Sequence, residues 1–309
     1  MSDDLRPSEP TAVVVTADDS DTITAAGAAA LPTIGFDVVP TEGPVVYAPY
    51  RAAADIDVIP TYLPVPGMGV LPANSYLLHG SQPLLVDAGP GGAEDGFRAA
   101  LEQLIDPAEL RWLWLTHTDP DHIGGVAWLL DAAPRMRVIT TFLAAGKLGG
   151  MHQPVPMDRM YWCNPGDTVH IGDRRLHALR PVSFDAPETT TAYDARTGVL
   201  FSADSFGALM QAPCDDADDI DSTDLADGLT LWSTIDAPWL AAVDRDRFSL
   251  SLDGLAHLGL TTVLSSHLPP AHGMTDTLLG LLARVPEADP WQPPDQSALD
   301  AILSQVATA

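Results

Sequence analysis

The stretch at residues 113–125 constrains this chain more than any other. An apolar run of strand type, Leu113-Trp114-Leu115, stops at Thr116-His117-Thr118-Asp119-Pro120-Asp121-His122. Two histidines and two aspartates therefore fall within six residues, and Gly124-Gly125 close the turn before a helix-like segment at 126–132. Core packing gives no reason for four metal-capable side chains at the mouth of a buried strand. A loop there is held by a rigid scaffold yet stays open to a ligand. The spacing lets two metal ions sit close together, so the stretch is expected to form half of a dinuclear site.

The other half must come from other strand ends, and three are suitable. Leu84-Leu85-Val86 runs into Asp87, Val199-Leu200-Phe201-Ser202-Ala203 into Asp204, and Val263-Leu264-Ser265-Ser266 into His267, with His272 as an alternative. Helical spacing at 96–105 puts Phe97, Leu101 and Leu104 or Ile105 on one face, and further helix-like segments lie at 229–242, 248–258 and 275–282. Hairpins are expected between 56–63 and 74–78, and between 167–171 and 175–179 through Gly172-Asp173. Strands alternating with helices predict an α/β fold whose strand ends converge on one edge of stacked sheets. Residues 144–165 read as a loop or lid, and the acidic run 212–228 as a solvated loop. His170 and His177 read as surface or satisfied residues; Tyr161, Trp162 and Trp232 lie in segments that could overhang the strand ends, with packing as their expected role.

Composition narrows the partners. The chain has 309 residues, 46% of them hydrophobic, enough for an ample core. Its 42 acidic residues against 15 basic ones give a net charge of −27, and Lys147 is the single lysine. Such a surface repels nucleic-acid phosphates and anionic lipid, so neither is an expected partner. Residues 1–30 carry little periodic pattern and read as a mobile tail, leaving 31–309 as one domain. The N-terminus lacks secretory-signal features and no apolar run reaches a membrane span, so a cytoplasmic location is expected. Cys163 and Cys214 show neither metal-binding nor redox spacing, and a bridge between them is left open.

The motif Thr-His-x-Asp-x-Asp-His-x-Gly resembles the metallo-β-lactamase fold signature His-x-His-x-Asp-His, with Asp119 in place of the second histidine. It is more similar to flavodiiron proteins and related stand-alone oxygen-binding diiron proteins, whose loop reads His-x-Glu-x-Asp-His. The resemblance extends through Asn74-Ser75-Tyr76-Leu77, Leu85-Val86-Asp87, residues 201–207 and Ser266-His267, covering about 57 to 280. It implies a four-layer αβ/βα sandwich and two metals. The first would be held by His117, Asp119 and a residue of the 183–188 loop, the second by Asp121, His122 and His267, with Asp204 bridging. The family carries a histidine in that loop; this chain has none. Aligning on Tyr193 puts Asp185 there, with Glu188 as the alternative. Asp87 matches an acid that orients a ligand.

Three imidazoles and four carboxylates would neutralise two divalent ions. Hydrolytic zinc sites are poorer in carboxylate, since residual positive charge acidifies bound water. Oxygen-rich donors suit iron or manganese. The expected function is thus redox chemistry at a diiron centre on dioxygen or a related small oxidant, with possible oxidation of an organic substrate. A zinc hydrolase of an ester, lactone or thioester and a non-catalytic diiron oxygen sensor are the rivals. Some 36 residues follow Gly273, too few for a flavin-binding domain, so an external electron donor is expected. A homo-oligomer is compatible with the sequence.

Overall fold

The computed structural model describes residues 43–151 and 155–306, and these fall in one compact unit. The expected tail at 1–30, the domain boundary at 31 and His152 lie outside the described residues. No helix among the described residues is long and apolar enough to cross a membrane.

Two sheets carry the fold. One has seven strands in the spatial order Met160–Trp162, Arg137–Thr140, Trp112–Trp114, Leu84–Val86, Ser75–Leu78, Ile56–Ile59, Tyr50–Ala53. Its first four strands run parallel and the rest antiparallel. The other has six, ordered Thr168–Ile171, Arg174–Leu179, Thr191–Asp194, Val199–Phe201, Thr262–Leu264, Ala271–His272, with one parallel pair, Val199–Phe201 beside Thr262–Leu264.

Successive side chains of a strand point to opposite faces, so a strand buried on both sides reads as continuously apolar. Leu84 and Val86, Trp112 and Trp114, Val199 and Phe201 all face the core between the sheets. Leu85 and Leu113 face outward into a second core with Phe97 and Leu101 of the helix Glu94–Leu104 and with Val126 and Leu129 of the helix Val126–Ala132. Leu200 and Val263 face a third core with Leu225 and Leu229 of the helix Ser222–Asp236, Leu252 of Arg245–Ala256 and Leu278 of Thr275–Leu282. Three cores between four layers give the expected αβ/βα sandwich.

Local readings differ in three places. The run 56–63 breaks at Pro60: Ile56–Ile59 pairs with Ser75–Leu78, while Thr61–Val65 leaves for a small third sheet with Gly69–Pro72 and Val45–Val46. Residues 144–165 are not wholly a lid. They contain most of the helix Phe142–Gly150 and the strand Met160–Trp162, which is the parallel edge of the large sheet. The acidic run 212–228 ends inside a helix, because Asp221 caps Ser222–Asp236 by accepting from the amides of Thr223 and Asp224. Both cysteines are free.

Candidate metal centre

The strand ends meet as the pattern implies. Asp87 follows Leu84–Val86 in the left-handed region, φ +58°, and Ala203 takes φ +53° just before Asp204. Left-handed backbone at a residue other than glycine is uncommon and clusters at functional sites. Asp119 stands at the N-cap of the short helix Pro120–Ile123, with extended backbone (φ −73°, ψ 152°) and proline at the first helical position. An aspartate there ordinarily accepts a hydrogen bond from the helix's own amides. Asp119 makes no such bond, so its carboxylate is free to face the site. Gly124 and Gly125 lie against the 88–91 backbone, where a Cβ would come within 2.6 Å of the Pro90 carbonyl and 2.8 Å of the Ala88 oxygen.

Among the described residues, four groups of three donors form, each with ligand atoms within 4.8 Å of one another: His117, Asp119 and Asp185; Asp121, His122 and His267; His117, His122 and Asp204; and Asp185, Asp204 and Asp236. Asp204 lies between the first two. Its Oδ2 is 3.1 Å from His117 Nε2, and its Oδ1 is 3.3 Å from His122 Nε2 and 3.1 Å from His267 Nε2.

The imidazoles are aimed from behind. His122 Nδ1–H donates to Asp87 Oδ2 at 3.0 Å, and His267 Nδ1–H donates to the Pro72 carbonyl at 2.5 Å. Asp87 also accepts from the amide and hydroxyl of Thr116, and the hydroxyl in turn lies 3.1 Å from His117 Nδ1. With Nδ1 occupied in each ring, Nε2 carries the lone pair that faces the centre. His122 Nε2 and Asp204 Oδ1 are buried with no well-aligned hydrogen bond. Buried polar atoms are rarely left so, and cations between these donors would satisfy both. The residues present therefore fit two metal ions.

The motifs flanking these candidate ligands hold the loops in place. Asn74 Nδ2 donates to the Leu268 carbonyl at 2.8 Å, Ser75 Oγ accepts from the Gly89 amide, and Tyr76 OH donates to the Ser265 carbonyl at 2.7 Å. Ser205 Oγ donates to the Ser183 carbonyl at 2.7 Å, tying the 183–188 loop to the end carrying Asp204.

A family model for the metallo-beta-lactamase superfamily matches residues 68–253. The chain belongs to the metallo-beta-lactamase superfamily. Within that superfamily its fold is similar to the rubredoxin oxygen:oxidoreductase of Desulfovibrio gigas, at TM-score 0.68 and 17% identity over 78% of this chain and 61% of that one. A metal-soaked flavodiiron core from Synechocystis sp. matches at TM-score 0.65 and 20% identity over 80% and 62%. By sequence, the chain is 32% identical over 136 residues to diflavin flavoprotein A 1 of Synechocystis sp., covering 43% of this chain and 23% of that protein. It is 29% identical over 193 residues to the anaerobic nitric oxide reductase flavorubredoxin of Aliivibrio fischeri, covering 59% and 38%. The matches thus span well under half the length of these curated relatives.

The alternatives left open by the superfamily motif are separated by position. His272 is turned away, with Nδ1 2.8 Å from Asp216 Oδ2 and Nε2 2.7 Å from the Ala52 carbonyl. Glu188 is buried behind the ligand loop, where its Oε1 accepts from Thr118 Oγ1 at 3.0 Å and meets Lys147 Nζ at 2.5 Å. Asp185, not Glu188, joins His117 and Asp119. Tyr161 packs on Trp112, and Trp162 is half-exposed against Phe142.

Two further residues stand at the site, one of which, Asp236, sequence did not offer. Trp232 lies with its ring 4.8 Å from that of His267, and its buried Nε1–H has no hydrogen-bond partner among the described residues. Asp236, one helical turn later, reaches within 4.8 Å of Asp185 and Asp204.

Without metal, burial and mutual charge pull these groups in opposite directions. Burial acts to lower His122 and His267, but their carboxylate neighbours outweigh it. Asp204 and Asp121 push His267 up to about 9, and Asp121, Asp204 and Asp87 hold His122 well above its ordinary value. His117 is lowered, by burial first and by the His122 charge. Burial would raise Asp204 and Asp121, yet the imidazoles hold both below the usual carboxylate range. Asp185 is pushed up to about 7 by burial, Asp204 and Asp119, and Asp236 to about 8 by burial and Asp204. Protons thus gather where cations would sit.

Proposed function

We propose that this chain holds two metal ions, iron above all, and reduces a small oxidant of the dioxygen or nitric oxide class. One ion would be held by His117, Asp119 and Asp185, the other by Asp121, His122 and His267, with Asp204 shared. The observation that carries this reading is the meeting of two three-donor groups on one buried carboxylate, Asp204, whose oxygens lie 3.1 to 3.3 Å from the Nε2 atoms of His117, His122 and His267. Four carboxylates balance two divalent ions and favour a higher oxidation state, which suits iron cycling between ferrous and ferric. Bound ferrous ions would supply the electrons. The names of the relatives, an oxygen oxidoreductase and a nitric oxide reductase, point the same way.

The chain's own residues would do the rest. Asp87 and the Pro72 carbonyl keep the Nδ1 protons of His122 and His267, so that Nε2 stays free at neutral pH once cations displace the extra protons. The Trp232 Nε1–H is available to donate to a small polar ligand. An external donor would return the electrons, and the metal-binding unit would comprise 31–309.

Metal analysis of protein purified without a chelating tag tests the proposal: about two irons per chain are expected. Ferrous-loaded protein opened to air should gain a near-ultraviolet band. Zinc in both places, with no spectral change after iron loading, would sink the redox reading and favour hydrolysis of an ester, lactone or thioester.

A further inference from the structure

We propose that the cleft between the 179–184 segment and the helix Arg245–Ala256 binds a small organic carboxylate with an apolar body, and that its occupancy steadies the 183–188 loop. The carboxylate site is independent of the metal reading. Only its consequence for Asp185 rests on that reading.

The cleft encloses about 570 Å³, a size suited to a small molecule. Helical spacing builds one wall. Arg247, Ser251, Gly254 and Leu255 recur at intervals of three or four residues, so one face of the helix Arg245–Ala256 turns into the cleft. Phe184 and Trp239 form another wall, with their rings 5.1 Å apart, and the Trp239 Nε1–H donates to the Phe184 carbonyl at 2.7 Å. Both rings are only half-buried, so apolar surface stays in contact with water until something covers it.

Charge narrows the occupant. The chain carries 42 acidic residues against 15 basic ones, yet the cleft is lined by two arginines, Arg180 and Arg247, and by no acid. Arg180 donates to the Pro187 carbonyl at 2.8 Å and lies 5.7 Å from the centre of the Phe184 ring. Among the described residues the Arg247 guanidinium has no acceptor; only its backbone amide is engaged, by Asp244 Oδ1. A guanidinium fork matches a carboxylate. Both arginines are exposed, so the acid group of the occupant keeps water while its body is covered. Asp244 and Asp246 stand on either side of Arg245 at the start of the helix, and their charge favours a monoanion over a phosphate dianion.

Gly254 keeps the space open. A Cβ there would meet nothing within 4 Å, so no neighbour requires glycine, although glycine weakens a helix interior. Phe184 is the link to the loop. It lines the cleft, and the next residue is Asp185, which groups with His117 and Asp119. A body held against Phe184 and Trp239 restrains that loop without touching any candidate metal ligand, since none lines the cleft.

Calorimetric titration of the full chain with naphthoate and with octanoate, with and without bound metal, tests the site. Octanol and acetate are the controls that lack the charge or the body. Saturable binding of at least one acid is expected, about tenfold tighter than either control. Arg247→Gln, an exposed change, should weaken it by about tenfold. Gly254→Leu fills the cleft and should abolish it, with circular dichroism unchanged. Hydrogen exchange in metal-free protein should slow over 183–188 when the acid is bound, and should not respond in Gly254→Leu. No binding of either acid, or binding untouched by both variants, would overturn the site. So would binding that disappears with the metal, which would put the acid on the metal ions, and so would a change in oligomeric state in Gly254→Leu without heat from either acid, which would give the face to a second copy. Unchanged exchange at saturation would overturn the coupling to the loop. None of these readouts needs two metals per chain, so a failed dinuclear reading would leave them intact.

Discussion

Asp87 Oδ2 receives the Nδ1 proton of His122 at 3.0 Å, and the same carboxylate receives the hydroxyl of Thr116, the residue before His117. One buried acid therefore aims two imidazoles, one from each donor group. Asp87→Ala should weaken metal binding by about 10–100-fold on the His122 side, as expected for a group that orients a ligand. Competition against a calibrated chelator measures this. An unchanged affinity would mean that the ring is held by packing alone.

Among the described residues, Asp185 groups with His117 and Asp119 and, separately, with Asp204 and Asp236, but not with Asp121, His122 or His267. Asp185→Ala should lower the metal content from about two ions to about one, because the Asp121, His122 and His267 donors are untouched. Retention of both ions would show that the 183–188 loop supplies no ligand.

Stability of the metal-free protein should fall as pH rises from about 6.5 to about 9. His267 is raised to about 9, so its stabilising ion pairs are complete below the unfolded histidine value and vanish as pH passes 9. Asp185 and Asp236, raised to about 7 and about 8, bind protons more tightly in the folded state, so their contribution already declines from the unfolded carboxylate value of about 4 and is lost as pH passes 7 and 8. His117, lowered, is neutral in both states across this window and adds no slope. Metal supplies the missing charge, so loaded protein should not show the loss. Thermal melts of both forms at several pH values check the sign.

Gly207→Ala tests the close packing beneath the centre. The added methyl would meet the Trp232 indole at 2.5 Å and His267 Cβ at 2.7 Å. Overpacking of this kind costs about 1–3 kcal/mol, readable as a lower urea midpoint, and it should also weaken metal binding.

Sequence made the layers legible because strands buried on both faces leave long apolar runs that end abruptly, as at Val86-Asp87 and Phe201 to Asp204. The ligand loop was legible because four donors in six residues exceed anything packing requires. Asp236 was not. It sits at a helix end among many aspartates, and what singles it out is the approach allowed by Gly207 and Gly228, a relation between distant segments. The break at Pro60 was missed because both halves of 56–63 are apolar, although proline lacks the amide a central strand needs. The strand Met160–Trp162 is short, and its parallel pairing to Arg137–Thr140 leaves no local signal.

Lys147 gives the chain a single amine-bearing side chain, and its partner Glu188 grips Thr118 between two candidate ligands, His117 and Asp119. Amine-directed chemistry therefore has one side-chain address, one acid removed from the metal loop. Acylating it would strip Glu188 of its cation without touching a ligand. The rate of that labelling, followed by intact mass, would report how firmly the loop is seated.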